Sequence, residues 1–426
     1  MKYNILSICV CLSVLTVFAE SPFVSVDGVG TRAVGLGNNY TALSQDYSAI
    51  FWNPAGLAFI PTREVNVGIG GSKFETDTKL SGSSTEYRKS LMQLSNIGLV
   101  RSLPTTRGGF AFALGFSTPY NLNDLRKFSG SDQWLDTVGL EILEHPERGI
   151  LRKGETLTYD EFRYYASGNL GMWSASAGLQ VTQGLGFGAS ISLIKGTQKS
   201  HKSILSHTKQ GMFDDGSEIT STVNYTGFDL RIGGLYQVNS KLSVGARIEL
   251  PQSIRYQEKL SIAGLSGDLD LSGNLKSSLA GAFGVATVLS FATISADLNY
   301  RSPNPDFDEG DLAYWKIGAG AGVEMPLRAI NAIVRGGYSW KELDCYPYAE
   351  YSGNTLQVDK SIQTSAIDNL QMITGGVTFI LSRSITFEAA YAYSHYSTKT
   401  TDIYWRNALL EEYSTHRGAA TISIRY

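Results

Sequence analysis

Strict alternation of side-chain character, residue by residue, is the feature that most limits what this chain can fold into. From Gly184 one face reads Leu185, Phe187, Ala189, Ile191 and Leu193, while the other reads Gly184, Gly186, Gly188, Ser190 and Ser192. The pattern returns at Phe110, Phe112, Leu114 and Phe116 against Gly109, Ala111, Ala113 and Gly115. It returns again over Leu242–Leu250 and over Ser384–Tyr393. A period of two marks strands whose two faces meet different surroundings. A soluble sandwich would alternate as well, so the content of the second face decides. Asp229, Arg231, Arg247, Glu249, Asp297, Glu324, Arg335 and Glu388 all fall opposite the apolar side. Charges on one face and bulky apolar groups on the other suit a polar lumen with lipid outside.

The N-terminus reads as an export signal. Lys2 is followed by an apolar run from Ile5 to Phe18, and Val17-Phe18-Ala19 offers small residues for cleavage after Ala19. Cys9 and Cys11 would leave with that segment, so the processed chain would keep only Cys345 and no internal disulfide. Beyond Ala19 no apolar run is long enough to cross a bilayer as a helix. A membrane-bound form must then be a closed barrel, the other architecture that satisfies every backbone amide in lipid. Three regions follow: 1–19 as signal peptide, 20–63 as a plug, and 64–426 as an all-β transmembrane barrel.

Fourteen antiparallel strands are expected, at 64–74, 91–103, 108–118, 163–181, 184–199, 222–238, 241–256, 272–289, 291–301, 312–325, 328–341, 369–382, 384–398 and 413–426. Tight links at Thr182-Gln183, Asn239-Ser240, Pro326-Leu327 and Ser382-Arg383 alternate with long polar ones at Asn121–Phe162, Ser200–Thr222, Asp344–Asn369 and Thr398–Glu412. Short turns on one side and long loops on the other are the outer-membrane arrangement. The chain closes on Ile422-Ser423-Ile424-Arg425-Tyr426. Alternate apolar residues ending on an aromatic resemble the signal that barrel-insertion machinery reads.

Residues 20–63 do not read as wall. Gly28, Gly30, Gly35 and Gly37 suggest a flexible start, without the strand–turn–helix context of a dinucleotide site. Asp46 is placed to cap a short helix through Trp52, and Asn53 to cap a second one with Pro54 at its first position. An apolar segment preceding a polar-lumen barrel needs somewhere to bury, and the lumen is the available place.

The run GTRAVGLGNNYTALSQDYSAIFWNPAGLAF (Gly30–Phe59) resembles the N-terminal hatch of the FadL-type family of outer-membrane transporters for long-chain fatty acids and other hydrophobic compounds. Asn53-Pro54-Ala55 matches that family's hatch motif, and the strand count agrees with its barrel. A PorV-like group of barrels attached to a secretion system carries a similar WNPAGLA segment. The FadL resemblance implies passage of hydrophobic molecules from an outer groove, through the lumen past a movable hatch, and out sideways through the wall. It implies hatch residues Phe51, Trp52, Asn53, Pro54, Ala55 and Leu57, and outer-groove candidates Phe128, Trp134, Leu135 and Leu140. A helix-like run at Leu135–Leu143 accompanies that groove. A wall defect falls near Ser117-Thr118-Pro119, because Pro119 has no amide for the ladder; the plainer alternative is that Pro119 ends the strand.

The physical need for such a route is large. Each methylene left in water forgoes roughly 0.8 kcal/mol, so a sixteen-carbon chain forgoes about 12 kcal/mol outside apolar surroundings. Expected partners are therefore hydrophobic small molecules, outer-membrane lipid and the insertion machinery. A net charge of -3 without a basic cluster gives no basis for nucleic-acid binding. No cofactor or metal is expected: the five histidines have no metal-ligand spacing, and no coupled Ser-His-Asp arrangement or GxSxG elbow suggests catalysis. A non-specific porin would conflict with the plug.

Overall fold

A computed structural model describes residues 28–426, apart from 107, 134–141, 146–148, 210, 212–213, 264–266, 277, 303–314, 344–345, 353–354 and 403–405. The signal-peptide expectation lies outside the described residues.

Among those residues fourteen strands form one antiparallel closed barrel. They are β1 (Glu64–Leu80), β2 (Ser83–Leu103), β3 (Phe110–Asn121, resumed at Asp124–Gln133), β4 (Thr156–Thr182), β5 (Leu185–Thr208) and β6 (Asp214–Gln237). Next come β7 (Leu242–Glu249, resumed at Ser253–Ile262), β8 (Leu269–Lys276, resumed at Ala280–Val288), β9 (Thr293–Arg301) and β10 (Trp315–Leu327). The last are β11 (Ala332–Leu343, resumed at Tyr346–Ser352), β12 (Thr355–Ile380), β13 (Ile385–Asp402) and β14 (Leu409–Arg425). β1 pairs with β14 from Glu64↔Arg425 to Lys79↔Leu410, so the wall has no free edge there. Arg63 and Tyr426 exchange backbone bonds of 3.1 Å, which brings both wall ends to the short-turn side.

The alternation sorts as expected. Ile69, Trp173, Phe187, Ile191, Phe228, Phe283, Ile373 and Ile422 point outward and are exposed, whereas Asp229, Arg231, Glu249, Asp297, Glu324 and Arg335 point inward and are buried. Apolar outside and charged inside is stable only with lipid around the wall.

The polar links differ from expectation. Much of each is strand: β4 runs for 27 residues and β5 and β6 for 24 each. At ~3.3 Å per residue and a tilt of ~40°, β4 reaches roughly 70 Å along the barrel axis, more than twice the ~25 Å apolar band. Above lipid the outward residues, such as Lys199, His201 and His207, meet water while Ser200, Lys202 and Ser206 are buried inside, so both faces carry polar residues and the apolar–polar contrast fades while the ladder still satisfies the backbone. The stretch 75–90, left outside the strand list, is likewise strand, with Ser81 (φ 49°) and Gly82 (φ 85°) making the tight turn between β1 and β2. Of the helix-like run at Leu135–Leu143, Ile142 and Leu143 belong to a small ribbon, Ile142–His145 against Gly149–Arg152. The rest of that run lies outside the described residues. The turn placed at Pro326-Leu327 comes slightly later, as a 3-10 turn at Arg328–Ile330.

Candidate functional site

Residues 28–60 fill the lumen. They contain α1 (Thr31–Gly35), α2 (Ala49–Trp52) and a 3-10 helix (Pro54–Phe59). The glycine-rich start is thus helical and buried, because the lumen rather than local propensity stabilises its five residues. Asp46 does not cap α2 directly: its carboxylate accepts from the Ser48 amide (2.8 Å) and hydroxyl (2.6 Å), and α2 begins after Ser48 with no side-chain cap. Asn53 does cap the second helix, which is of the 3-10 kind. Its Oδ1 accepts from the Ala55 amide at 3.1 Å.

Asn53 also joins the plug to the wall. Its Nδ2 donates to the Thr41 carbonyl (2.9 Å) within the plug and to the Gly234 carbonyl (3.0 Å) on β6. Asn53→Ala removes three bonds and leaves buried groups unpaired, a loss of roughly 2–3 kcal/mol. Hydrogen exchange should rise over residues 48–58 and hydrophobic-probe uptake should change, while the barrel keeps its resistance to unfolding in cold detergent. Unchanged exchange, uptake and single-channel leak would contradict this role.

Charged side chains from the wall grip the plug on two sides. Arg231 pairs with Asp229 (2.8 Å) and Glu249 (3.1 Å), and donates to the Phe51 carbonyl (2.7 Å) and the Tyr120 hydroxyl (2.9 Å). Arg247 donates to the same carbonyl at 3.0 Å, and the Arg231 guanidinium lies 3.8 Å from the Phe51 ring centre. Across the lumen Arg32 of α1 binds Glu324 (2.7 Å), which also holds Arg335 (3.0 Å). Smaller links complete the circle: Thr41 amide to Asp297 (2.9 Å), Thr374 hydroxyl to the Gly35 carbonyl (3.0 Å), and Thr31 to Thr421 (2.7 Å). Burial pushes the phenols of Tyr40 and Tyr47 upward, so both stay neutral donors, to Asp46 (2.6 Å) and to the Phe116 carbonyl (3.2 Å).

The inward glycines of the wall are the imprint of the plug. A Cβ at Gly188 would collide with the Pro54 carbonyl, one at Gly233 with the Asn53 side chain, and one at Gly98 with the Tyr47 ring. At Gly188 plug and wall meet backbone to backbone, and at all three positions the space a side chain would need is already filled.

Above the plug the lumen is two-sided. On β3 to β7 its inner face is apolar, with Tyr120, Leu122, Leu170, Met172, Ile194, Tyr225, Ile254 and Tyr256 packed in one cluster with Phe51, Trp52 and Leu57. On the opposite side a small cavity of about 50 Å³ is lined by Phe51, Trp52, Tyr120, Arg247, Glu249, Arg301, Trp340 and Lys341. The apolar side was not foreseen; the adjacent apolar pair Leu193-Ile194, breaking the alternation, is the signal that could have revealed it.

The wall itself has a seam beside that apolar face. The β2–β3 ladder runs from Leu103↔Phe110 to Asn96↔Ser117 and stops. At that level β3 carries one extra residue between Ser117 and Tyr120 relative to β4, and β2 carries Ser95 as a bulge relative to β1. The Thr118 hydroxyl donates to the Leu94 carbonyl at 2.8 Å, where an amide of a regular ladder would sit. Directly beneath, Ile97, Leu99, Leu114, Phe116, Trp173, Leu193 and Phe228 line an apolar groove on the outer face.

The structure therefore gathers Phe51, Trp52, Asn53, Pro54, Ala55 and Leu57 in one buried cluster, and Ser117, Thr118 and Pro119 at the seam. Phe128 lies apart, on the upper half of β3, stacked on Phe162 (centroids 4.4 Å) and edge-on to Tyr159 (5.5 Å). Trp134, Leu135 and Leu140 lie outside the described residues. Among the described residues no group of three or more His, Cys, Asp or Glu could hold a metal.

No family model matches the chain, and no curated protein does. Solved structures match over nearly the whole length. The toluene transporter TodX of P. putida is 14% identical, with 94% of this chain and 99% of that one covered and a TM-score of 0.62. A FadL homologue of Pseudomonas aeruginosa is 12% identical over 94% and 99%, with a TM-score of 0.60. The toluene transporter TbuX of Ralstonia pickettii is 16% identical over 94% and 99%, with a TM-score of 0.54. This chain has the fold of FadL-type outer-membrane barrels.

Proposed function

We propose that the protein carries hydrophobic small molecules across the outer membrane, by binding inside the barrel and passing a hatch made of the plug. The observation that carries this reading is the apolar inner face on β3 to β7, which meets Phe51 and Trp52 below and the wall seam at Ser117–Pro119 beside it. A molecule following that face stays out of water from the lumen to the lipid-facing groove. Water-filled passage is disfavoured, because Leu36, Tyr40, Tyr47, Phe51 and Leu57 bury themselves across the lumen. That two of the similar structures are toluene transporters and another is a FadL homologue supports monoaromatic hydrocarbons or fatty acids as cargo.

In this reading Phe51, Trp52, Asn53, Pro54, Ala55 and Leu57 form the gate, and Arg231 and Arg247 hold it shut through the Phe51 carbonyl. Phe128, Trp134, Leu135 and Leu140 offer cargo its first apolar contact. Ser117, Thr118 and Pro119 mark the lateral exit, after which lipid receives the cargo. The C-terminal strand ending at Tyr426 engages the insertion machinery once residues 1–19 have been removed.

Two measurements test this. Mass spectrometry of protein purified from its native membrane should find hydrophobic molecules retained in it. Proteoliposomes should take up labelled palmitate or toluene faster than empty vesicles. Clean protein together with vesicle-level uptake of both probes would reject the proposal.

A further inference from the structure

We propose that Gln93 and Asn169, together with Lys89 and Tyr165, form a side-chain latch that spans the seam and sets how far it opens to the bilayer. The inference rests on the transport reading above and assigns the exit its controlling residues.

Above Asn96 the β2 strand has left the ladder of β3, and yet β2 remains tied to β4, which is not its sheet neighbour. Asn169 Nδ2 donates to Gln93 Oε1 at 3.0 Å, and Lys89 Nζ sits 4.9 Å from the centre of the Tyr165 ring. Both contacts reach past β3. Tyr165 in turn stacks on His201 of β5 (5.3 Å), and His201 is hydrogen-bonded to Glu218 of β6 at 2.6 Å. The upper half of β2 is laddered to β1 on one side, and a line of polar contacts straps its other edge across three strands of the wall. Among the described residues of the lipid band, other neighbouring strands, such as β4 and β5 or β14 and β1, are held by backbone ladders that cannot part without exposing amides. Here the Thr118 hydroxyl holds the lower end of the seam and the Ser83–Ser129 hydroxyl contact (3.4 Å) its top, and between them the hold is one neutral hydrogen bond and one cation–π contact, weak enough to open and specific enough to shut. Asn169 faces Asn121 at the top of the β3 bulge, so the latch closes the same interval that the bulges create.

The test uses the full chain with Cys345→Ser and a cysteine-free leader, so that introduced thiols stand alone. Gln93→Cys/Asn169→Cys, bridged by a short bis-methanethiosulfonate reagent, should lose uptake of labelled palmitate and toluene about tenfold and regain it on reduction. Thr197→Cys/Asn224→Cys, which bridges two partners within the regular β5–β6 ladder, should keep its uptake under the same treatment. Full uptake with the seam bridged overturns the latch and leaves transport standing. A second readout needs no transport. Alkylation of Ser117→Cys by N-dodecylmaleimide in the bilayer should be about tenfold faster with Lys89→Ala/Gln93→Ala, the ratio that losing these two contacts implies. Equal labelling rates overturn the proposal even where neither cargo probe is carried.

Discussion

Arg231→Ala is expected to cost about 3–5 kcal/mol and to unseat the plug, because it strands two buried carboxylates at once. Asp229 and Glu249 both face the Arg231 guanidinium, at 2.8 and 3.1 Å, and that side chain is fully buried. Its loss also frees the Phe51 carbonyl from one of two arginine donors and removes the cation from the Phe51 ring. The damage should therefore appear in two places. Unfolding in denaturant and detergent should move to markedly lower denaturant, and single-channel recordings should show frequent openings absent from the parent. Arg231→Lys should recover part of the stability, since it restores the charge but not the forked geometry that reaches four partners. Neutralising the trio with Asp229→Asn, Arg231→Met and Glu249→Gln should restore more stability than the lysine does, yet leave the channel leaky. Only a guanidinium there can both balance the carboxylates and hold the Phe51 carbonyl. Parent-like stability and a silent channel in Arg231→Ala would show that the plug is held elsewhere.

The strands of the lipid band were legible because their two faces meet different media. Leu185–Leu193 could alternate in only one way with lipid on one side and a filled lumen on the other. The same reasoning placed Arg231, Glu249, Glu324 and Arg335 inside, where they are found. It failed above the membrane, where β4, β5 and β6 continue with water in place of lipid outside, and polar residues such as Ser200, Lys202 and Ser206 on the buried face leave no apolar–polar period to read. It failed at α1 for a related reason: Thr31–Gly35 is too short to be helical by itself, and its stability comes from Glu324 and the lumen wall, which are hundreds of residues distant. Asn53 was readable because a cap and its helix are adjacent in sequence. The Ser95 bulge and the Gln93–Asn169 bond were not, because both depend on which strands end up side by side.

The glycines carried a further message that alternation alone did not disclose. Gly186 and Gly188 read simply as the small face of a strand, but their size is set by the plug lying against them. Gly188→Val should therefore separate the two parts of the molecule. Valine suits an extended strand and offers the wall no difficulty, but its Cβ would occupy the space of the Pro54 carbonyl. The 3-10 helix must then move off the wall, breaking the Asn53 bond to Gly234 nearby on β6. The expected result is a barrel that inserts and migrates as folded in cold detergent, with a plug that protease cleaves near residues 54–59 and a channel that conducts without cargo. Gly418 provides the control. It lies on β14 with no atom near its would-be Cβ and a backbone that any residue adopts, so Gly418→Val should leave protease resistance and conductance unchanged. If the two variants behave alike, wall glycines serve strand packing in general. If only Gly188→Val opens the channel, the inner surface of this barrel is shaped around its own N-terminus, and the gate is held by fit as much as by charge.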